Sequence, residues 1–365
     1  MPTATANALT FTLHPTDTPT AEAERAAILA QGGFGTAFTD HMVTIDWREG
    51  KGWHDAQVRK RAPFQLDPAA AVLHYAQEIF EGLKAYRGAD GSITLFRPDQ
   101  NAKRFNASAT RMAMPTLPEH VFVEAIEALV RVDRDWVPGG DGSLYLRPFM
   151  FAAEPFLGVR PAHHFIFSVI ASPVGNYFKS GPKPVKVWVS REYTRAAKGG
   201  TGAAKCGGNY AASLVAQAQA YENGCEQVIF LDAAEHRWIE ELGGMNIFFV
   251  RKDGSLFTTP LGTILPGITR ASLIELARDK GIQVEERRYA FDEWQADVAR
   301  GEVTEAFACG TAAVVAAIGE VQFDGGSFTI GNGETGPVTQ ALRQELTALQ
   351  RNQLPDTRGW VHKIA

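Results

Sequence analysis

The chain has 365 residues, 45% of them hydrophobic and 21% charged, with a net charge of −5. That length exceeds what one hydrophobic core usually serves and predicts two domains of an ordinary soluble protein, while the acidic balance argues against nucleic acid or an anionic membrane as partner. No apolar run reaches bilayer length, and Cys206, Cys225 and Cys309 have no metal-ligand spacing, which predicts no metal and a reducing cytoplasm.

Residues 1–30 are rich in Thr, Ala and Pro, with neither an apolar signal core nor an Arg-rich amphipathic pattern, and read as a loosely held arm. Residues 43–47 alternate as a strand does, and 51–68, without a period, are expected to wrap the surface. GADG at 88–91 reads as a hairpin turn into a strand at 93–96. Residues 98–112 have helical character, and 119–135 form the clearest amphipathic helix, with Val121, Ala125, Ala128, Leu129 and Val132 on one stripe. Residues 142–151 and 164–171 read as paired strands, the second a continuous buried run. The Gly- and Pro-rich span 173–184 reads as an interdomain linker that could also cover a site, giving a small domain at 31–172 and a large one at 185–365.

The second half opens on a strand at 185–189. A helix at 210–223 ends at Gly224, and another at 269–279 is stopped by Gly281. Strands are expected at 228–231, 247–250, 305–308 and 314–318, and a terminal helix at 336–349. The elements lack a regular βα rhythm, and there is no GxGxxG fingerprint and no internal repeat.

One stretch stands apart. GGTGAAKCGGNY, residues 199–210, surrounds Lys205 with Gly199, Gly200, Gly202, Gly207 and Gly208. Glycine removes bulk and permits backbone angles closed to other residues, which suits a lysine that must meet a flat ligand closely. Desolvated there, a lysine can condense with an aldehyde. A flexible loop bearing a surface lysine is the other reading of these twelve residues.

Around this stretch stand HYAQEIFEGLKAYRG and SLYLRPFMF upstream, then WIEELGGMN, TILPGITRASL and ACGTAAVV downstream. Together, in this order, they resemble the branched-chain amino-acid aminotransferases, pyridoxal 5'-phosphate (PLP) enzymes of fold type IV. The resemblance runs from about residue 34 to the C-terminal region. It implies an α/β (α+β), two-domain fold like that of D-amino-acid aminotransferase, with the active site between the domains, acting as a homodimer on small amino acids and 2-oxo acids. D-amino-acid aminotransferase and aminodeoxychorismate lyase are the alternatives that share the fold.

Such chemistry needs a lysine for the aldehyde, an acid at the ring nitrogen, an anion site, and recognition of the substrate's carboxylates. By the family pattern these fall on Lys205 and on Glu241 rather than Glu240, with Tyr210 at the cofactor's phenolic oxygen. The phosphate falls to Ile268 and Thr269 at a helix start, with Arg104, Thr311 and Arg195. The α-carboxylate falls to the turn at Thr311 and Ala312 with Tyr145, and glutamate's side-chain carboxylate to Arg147, two residues along the same strand face. Phe34, Tyr75, Phe80 and Tyr177 match an aromatic wall, and Leu157 and Val159 match residues lent to a partner subunit's pocket. Two departures show: Ala313 and Ala316 stand where animal members carry a CxxC pair, and Gly244 stands where a Thr is frequent.

Overall fold

The computed structural model describes residues 9–175 and 183–364. The chain divides into two compact units: one takes residues up to 177 with 204–207 and 349–365, the other takes 178–203 and 208–348. Tyr177 and most of the expected linker lie outside the described residues.

The first unit runs β1 (Thr12–His14), α1 (Glu22–Gln31), β2 (His41–Arg48), β3 (Gly52–Lys60), α2 (Ala71–Tyr75), β4 (Glu78–Phe80), β5 (Leu83–Arg87), β6 (Ile93–Phe96), α3 (Pro98–Arg111), α4 (Glu119–Val132), β7 (Ser143–Ala152) and β8 (His164–Val174). Its sheet is ordered β1-β3-β2-β8-β7-β5-β6, with β4 also paired to β7. The β7–β8 pair spans Ser143↔Val174 to Ala152↔Phe165. Both strands carry long apolar stretches, so helices must cover them. The stripes of α3 and α4 do so, with Phe105 and Phe122 ring centroids 5.5 and 6.0 Å from that of Phe167. Burying such a side chain is worth about 1.5–3 kcal/mol.

Two expectations fail in this unit. The N-terminal arm is tied down from residue 12, where β1 runs parallel to β3. Thr20 hydrogen-bonds Asp40 through its hydroxyl at 2.6 Å. Residues 52–60, expected to wrap the surface, form β3, half-buried and antiparallel to β2. Its alternation is masked by polar residues on the face turned away from the core.

The second unit runs β9 (Val185–Ser190), α5 (Gly207–Ala211), α6 (Leu214–Glu222), β10 (Gln227–Leu231), β11 (Ile239–Leu242), β12 (Asn246–Arg251), β13 (Leu256–Thr258), α7 (Ile268–Asp279), β14 (Val284–Glu286), α8 (Phe291–Ala299), β15 (Val303–Gly310), β16 (Val314–Phe323), β17 (Gly326–Thr329) and α9 (Pro337–Gln350). Its sheet is ordered β11-β10-β9-β16-β15-β12-β13-β14, with β17 on β16. The single helix expected at 210–223 is two, because Ser213 turns back on Tyr210 through both its N–H and its hydroxyl. The core holds Phe249, Phe257, Tyr289 and Trp294 in edge-to-face contacts.

The last strand, β18 (Val361–Ile364), pairs with β6, so the C-terminus belongs to the first unit rather than to the expected second domain. Arg351 secures this return on the carbonyls of Gly140, Asp141 and Gly142. The α/β class expected from the sequence holds, with a mixed sheet in each unit.

Candidate active site

In the first unit, Lys205 sits in a loop pinned to that unit's own elements. Its N–H donates to Ser108 Oγ on α3 at 2.9 Å, and its carbonyl accepts the Phe80 N–H of β4 at 3.0 Å. The Gly207 N–H donates to the Glu78 carboxylate. Ala204 and Cys206 on either side are buried in the unit's core. This fixes the lysine's direction: Nζ lies 4.8 Å from the Phe80 ring centroid.

Arg147 faces the same ring, its guanidinium 4.7 Å from the centroid, and Arg147 Nη2 donates to Tyr145 Oη at 3.2 Å. Phe34 packs edge-on to Tyr145 at 5.0 Å. The unit thus brings Lys205, Phe80, Arg147, Tyr145 and Phe34 into one continuous group. Gly82 makes room for it, because a Cβ there would overlap Tyr145 Oη and stand 2.9 Å from Cζ. Tyr75 lies apart from these contacts, its hydroxyl donating to the Leu157 carbonyl. Leu157 and Val159 are 67% and 89% exposed on their loop.

Arg104, expected at the phosphate, lies on α3 one turn before Ser108 and makes a bidentate pair with Glu81, which is fully buried. Burial pushes the Glu81 carboxyl up. The Arg104 charge and hydrogen bonds, with Lys205 and Asn101, outweigh burial and hold it below the usual carboxylate range. The sequence reading missed Glu78, Glu81 and Ser108. The signal was present: both acids stand inside the quoted run around Phe80, and Ser108 is four residues from Arg104.

In the second unit, Glu241 and Glu240 point opposite ways from β11, as strand alternation requires. Glu241 is buried: Arg195 Nη1 lies 2.7 Å from Oε2, while Asn246 Nδ2 and the Leu265 N–H donate to Oε1 at 3.1 and 3.2 Å. Glu240 meets the Thr263 hydroxyl instead, and burial pushes its carboxyl up. Asn246, which opens the next strand in the chain, β12, and donates to Glu241, was also missed.

Gly267 is the N-cap of α7 and supplies no side-chain cap to the first-turn N–H groups, while Thr269 behind it is buried. A Cβ on Gly267 would overlap Asn246 Oδ1 and stand 3.2 Å from Cγ. The backbone therefore comes in close where Asn246 and Leu265 reach Glu241. A helix start with uncapped N–H groups suits a phosphate, and a buried carboxylate near it suits a protonated ring nitrogen. These residues fit the cofactor that the sequence implies. Tyr210 lies against Gly244, where a Cβ would stand 3.2 Å from its Cε1. The turn carrying Thr311 and Ala312 joins β15 to β16, and the register Asn246↔Cys309 puts it at the same end of the sheet as Asn246.

The chain belongs to the class IV aminotransferase family: the description Amino-transferase class IV matches residues 78–321. It is 57% identical over 362 residues, 98% of each chain, to a protein of Mycolicibacterium smegmatis named branched-chain-amino-acid aminotransferase. It is 48% identical over 334 residues to branched-chain-amino-acid transaminase 1 of Bacillus subtilis, covering 91% of this chain and 94% of that one. Among solved structures, the branched-chain amino acid aminotransferase from Escherichia coli matches with a TM-score of 0.70 at 28% identity, over 88% of this chain and 99% of that one. The branched-chain aminotransferase of the thermophilic archaeon Thermoproteus uzoniensis, solved with norvaline, matches with a TM-score of 0.72 at 25% identity, over 88% and 100%. No described helix is long and apolar enough to cross a membrane.

Proposed function

We propose that this chain is a PLP-dependent aminotransferase that moves the amino group between leucine, isoleucine or valine and 2-oxoglutarate, yielding branched-chain 2-oxo acids and glutamate. The observation that carries the reading is the pinned Lys205 loop, with Nζ over Phe80 and Arg147 on the same ring.

PLP, when bound, supplies an electron sink for the substrate's Cα and a temporary seat for its amino group. Lys205 would hold the cofactor's aldehyde, and its Nζ would carry the proton at the substrate's Cα. Glu241 keeps a proton on the ring nitrogen, and Tyr210 donates to the phenolic oxygen. The first turn of α7, at Ile268 and Thr269, takes the phosphate through backbone N–H groups and the Thr269 hydroxyl, with Arg104, Arg195 and Thr311 adding positive charge and a further donor.

Thr311, Ala312 and Tyr145 orient the α-carboxylate. Phe34 and Phe80 enclose an aliphatic side chain, and Arg147 receives the second carboxylate of glutamate. The exposed Leu157 and Val159 complete the pocket of a second copy, so the working unit is a homodimer, acting in the cytoplasm. The test is a half-reaction in which purified enzyme and leucine yield the 2-oxo acid, with 2-oxoglutarate closing the cycle. Release of pyruvate from a chorismate-derived substrate, or activity confined to D-amino acids, would overturn the assignment.

A further inference from the structure

Glu78 takes no part in the chemistry assigned so far, yet several contacts fix its place. On β4 it shares a face with Phe80, while Ile79 between them points into the core. The register pairs Glu78 with Phe151 and Phe80 with Phe149 on β7, and Arg147 follows two residues along that face. Glu78, Phe80 and Arg147 therefore line one surface, with Lys205 Nζ and the Arg147 guanidinium both over the Phe80 ring. The Glu78 carboxylate accepts the Gly207 N–H, and a Cβ on Gly207 would stand 3.2 Å from Glu78 Cδ, so a side chain there would push the carboxylate away.

A pocket that takes leucine and glutamate in turn has a charge problem. With glutamate bound, its second carboxylate balances Arg147. With leucine bound, the guanidinium is shut in beside an apolar side chain, and an unbalanced buried charge is costly. We propose that Glu78 is the resident counter-charge of Arg147, balancing it while an apolar side chain fills the pocket and yielding it to a substrate's second carboxylate. This rests on the assignment of Arg147 made above. It makes Glu78 a specificity-determining residue that also positions the Lys205 loop through Gly207. Burial pushes the Glu78 carboxyl above the usual range, while the Gly207 N–H from the loop and the Arg147 charge from β7 pull it back. A second carboxylate entering beside it raises it further, toward the neutral acid that releases Arg147.

The test uses unreactive ligands, so that binding is read apart from turnover. Dissociation constants for glutarate and for 4-methylvaleric acid are measured on the holoenzyme for wild type, Glu78→Gln, Arg147→Ala and the double variant. Gln keeps an acceptor for the Gly207 N–H and removes only the charge. Glu78→Gln is expected to shift the ratio of the two constants toward glutarate by about five- to tenfold, the scale of one part-buried charge interaction. The shift should vanish in the Arg147→Ala background. An unchanged ratio in Glu78→Gln, with Arg147→Ala still weakening glutarate selectively, overturns this inference alone. An Arg147→Ala variant that weakens both ligands equally overturns the reading of Arg147 and this inference with it.

Discussion

Arg104 grips Glu81 with two parallel hydrogen bonds, Nε to Oε1 at 2.7 Å and Nη2 to Oε2 at 2.9 Å. Asn101 Nδ2 adds a third contact at 2.7 Å, and the Gly82 N–H a fourth at 3.1 Å. The Glu81 carboxylate thus has the full set of partners that a buried charge requires. It also fixes where the Arg104 guanidinium can reach, because Nε and Nη2 are committed to it.

Glu81→Ala leaves the Arg104 charge without its partner, at an expected cost of about 3–5 kcal/mol. Urea denaturation at neutral pH measures it. The pH dependence has a definite sign. The folded-state carboxyl lies below the ordinary value of 4.5, so its contribution is present above that value and is lost as pH falls through the folded value. Wild type should therefore lose more stability than Glu81→Gln as the pH drops below 4.5. Parallel acid limbs in the two proteins would mean the pair contributes nothing through ionisation.

Lys205→Ala should still take up PLP through the anion site but lose nearly all transamination. Borohydride reduction of the wild-type holoenzyme should fix the cofactor to the peptide containing Lys205. Labelling of the peptide with Lys84 or Lys198 instead would remove Lys205 from its role.

Much of this was legible in the sequence, for identifiable reasons. The stripe on α4 and the apolar run of β8 are patterns that burial imposes directly. The glycines around Lys205 report a close approach, and Gly207 leaves room where Glu78 meets its backbone. What could not be read was partnership across long separations. The pairing of β18 with β6 joins residues far apart in the chain, and no local pattern announces it. Arg104 was placed by family pattern, but its partner Glu81 lies 23 residues away in the link between β4 and β5. The strand β3 escaped because its polar face hides the alternation of Ala56 and Val58.

Gly267 tests the anion site without touching a charge. Its missing side chain lets the start of α7 lie against Asn246, which in turn donates to Glu241. Gly267→Ala pushes these apart and should weaken PLP binding by about tenfold or more, or roughly 1.4 kcal/mol. Thr269→Val, which deletes only a hydroxyl, should cost less, about 0.5–1.5 kcal/mol. Absorbance titration of the apoenzyme gives both numbers. If Gly267→Ala binds PLP as tightly as wild type, the phosphate is held elsewhere.

The role proposed for Arg147 is to let one pocket serve two substrates. Leucine needs apolar walls, and Phe34 and Phe80 belong to the same group of contacts as Arg147 and Tyr145. Glutamate adds a carboxylate that cannot be buried unpaired, and the guanidinium fork can take it with two hydrogen bonds. Arg147→Ala is therefore expected to damage the glutamate half-reaction by about 2–4 kcal/mol, or roughly 30- to 1000-fold in rate constant. The leucine half-reaction should change far less, because the proposed seats of its α-carboxylate are Tyr145, Thr311 and Ala312. Single-turnover kinetics with each amino acid separates the two. Equal losses would mean that Arg147 serves the α-carboxylate, or the support of Tyr145 through their hydrogen bond at 3.2 Å, and its role in dual recognition would be withdrawn.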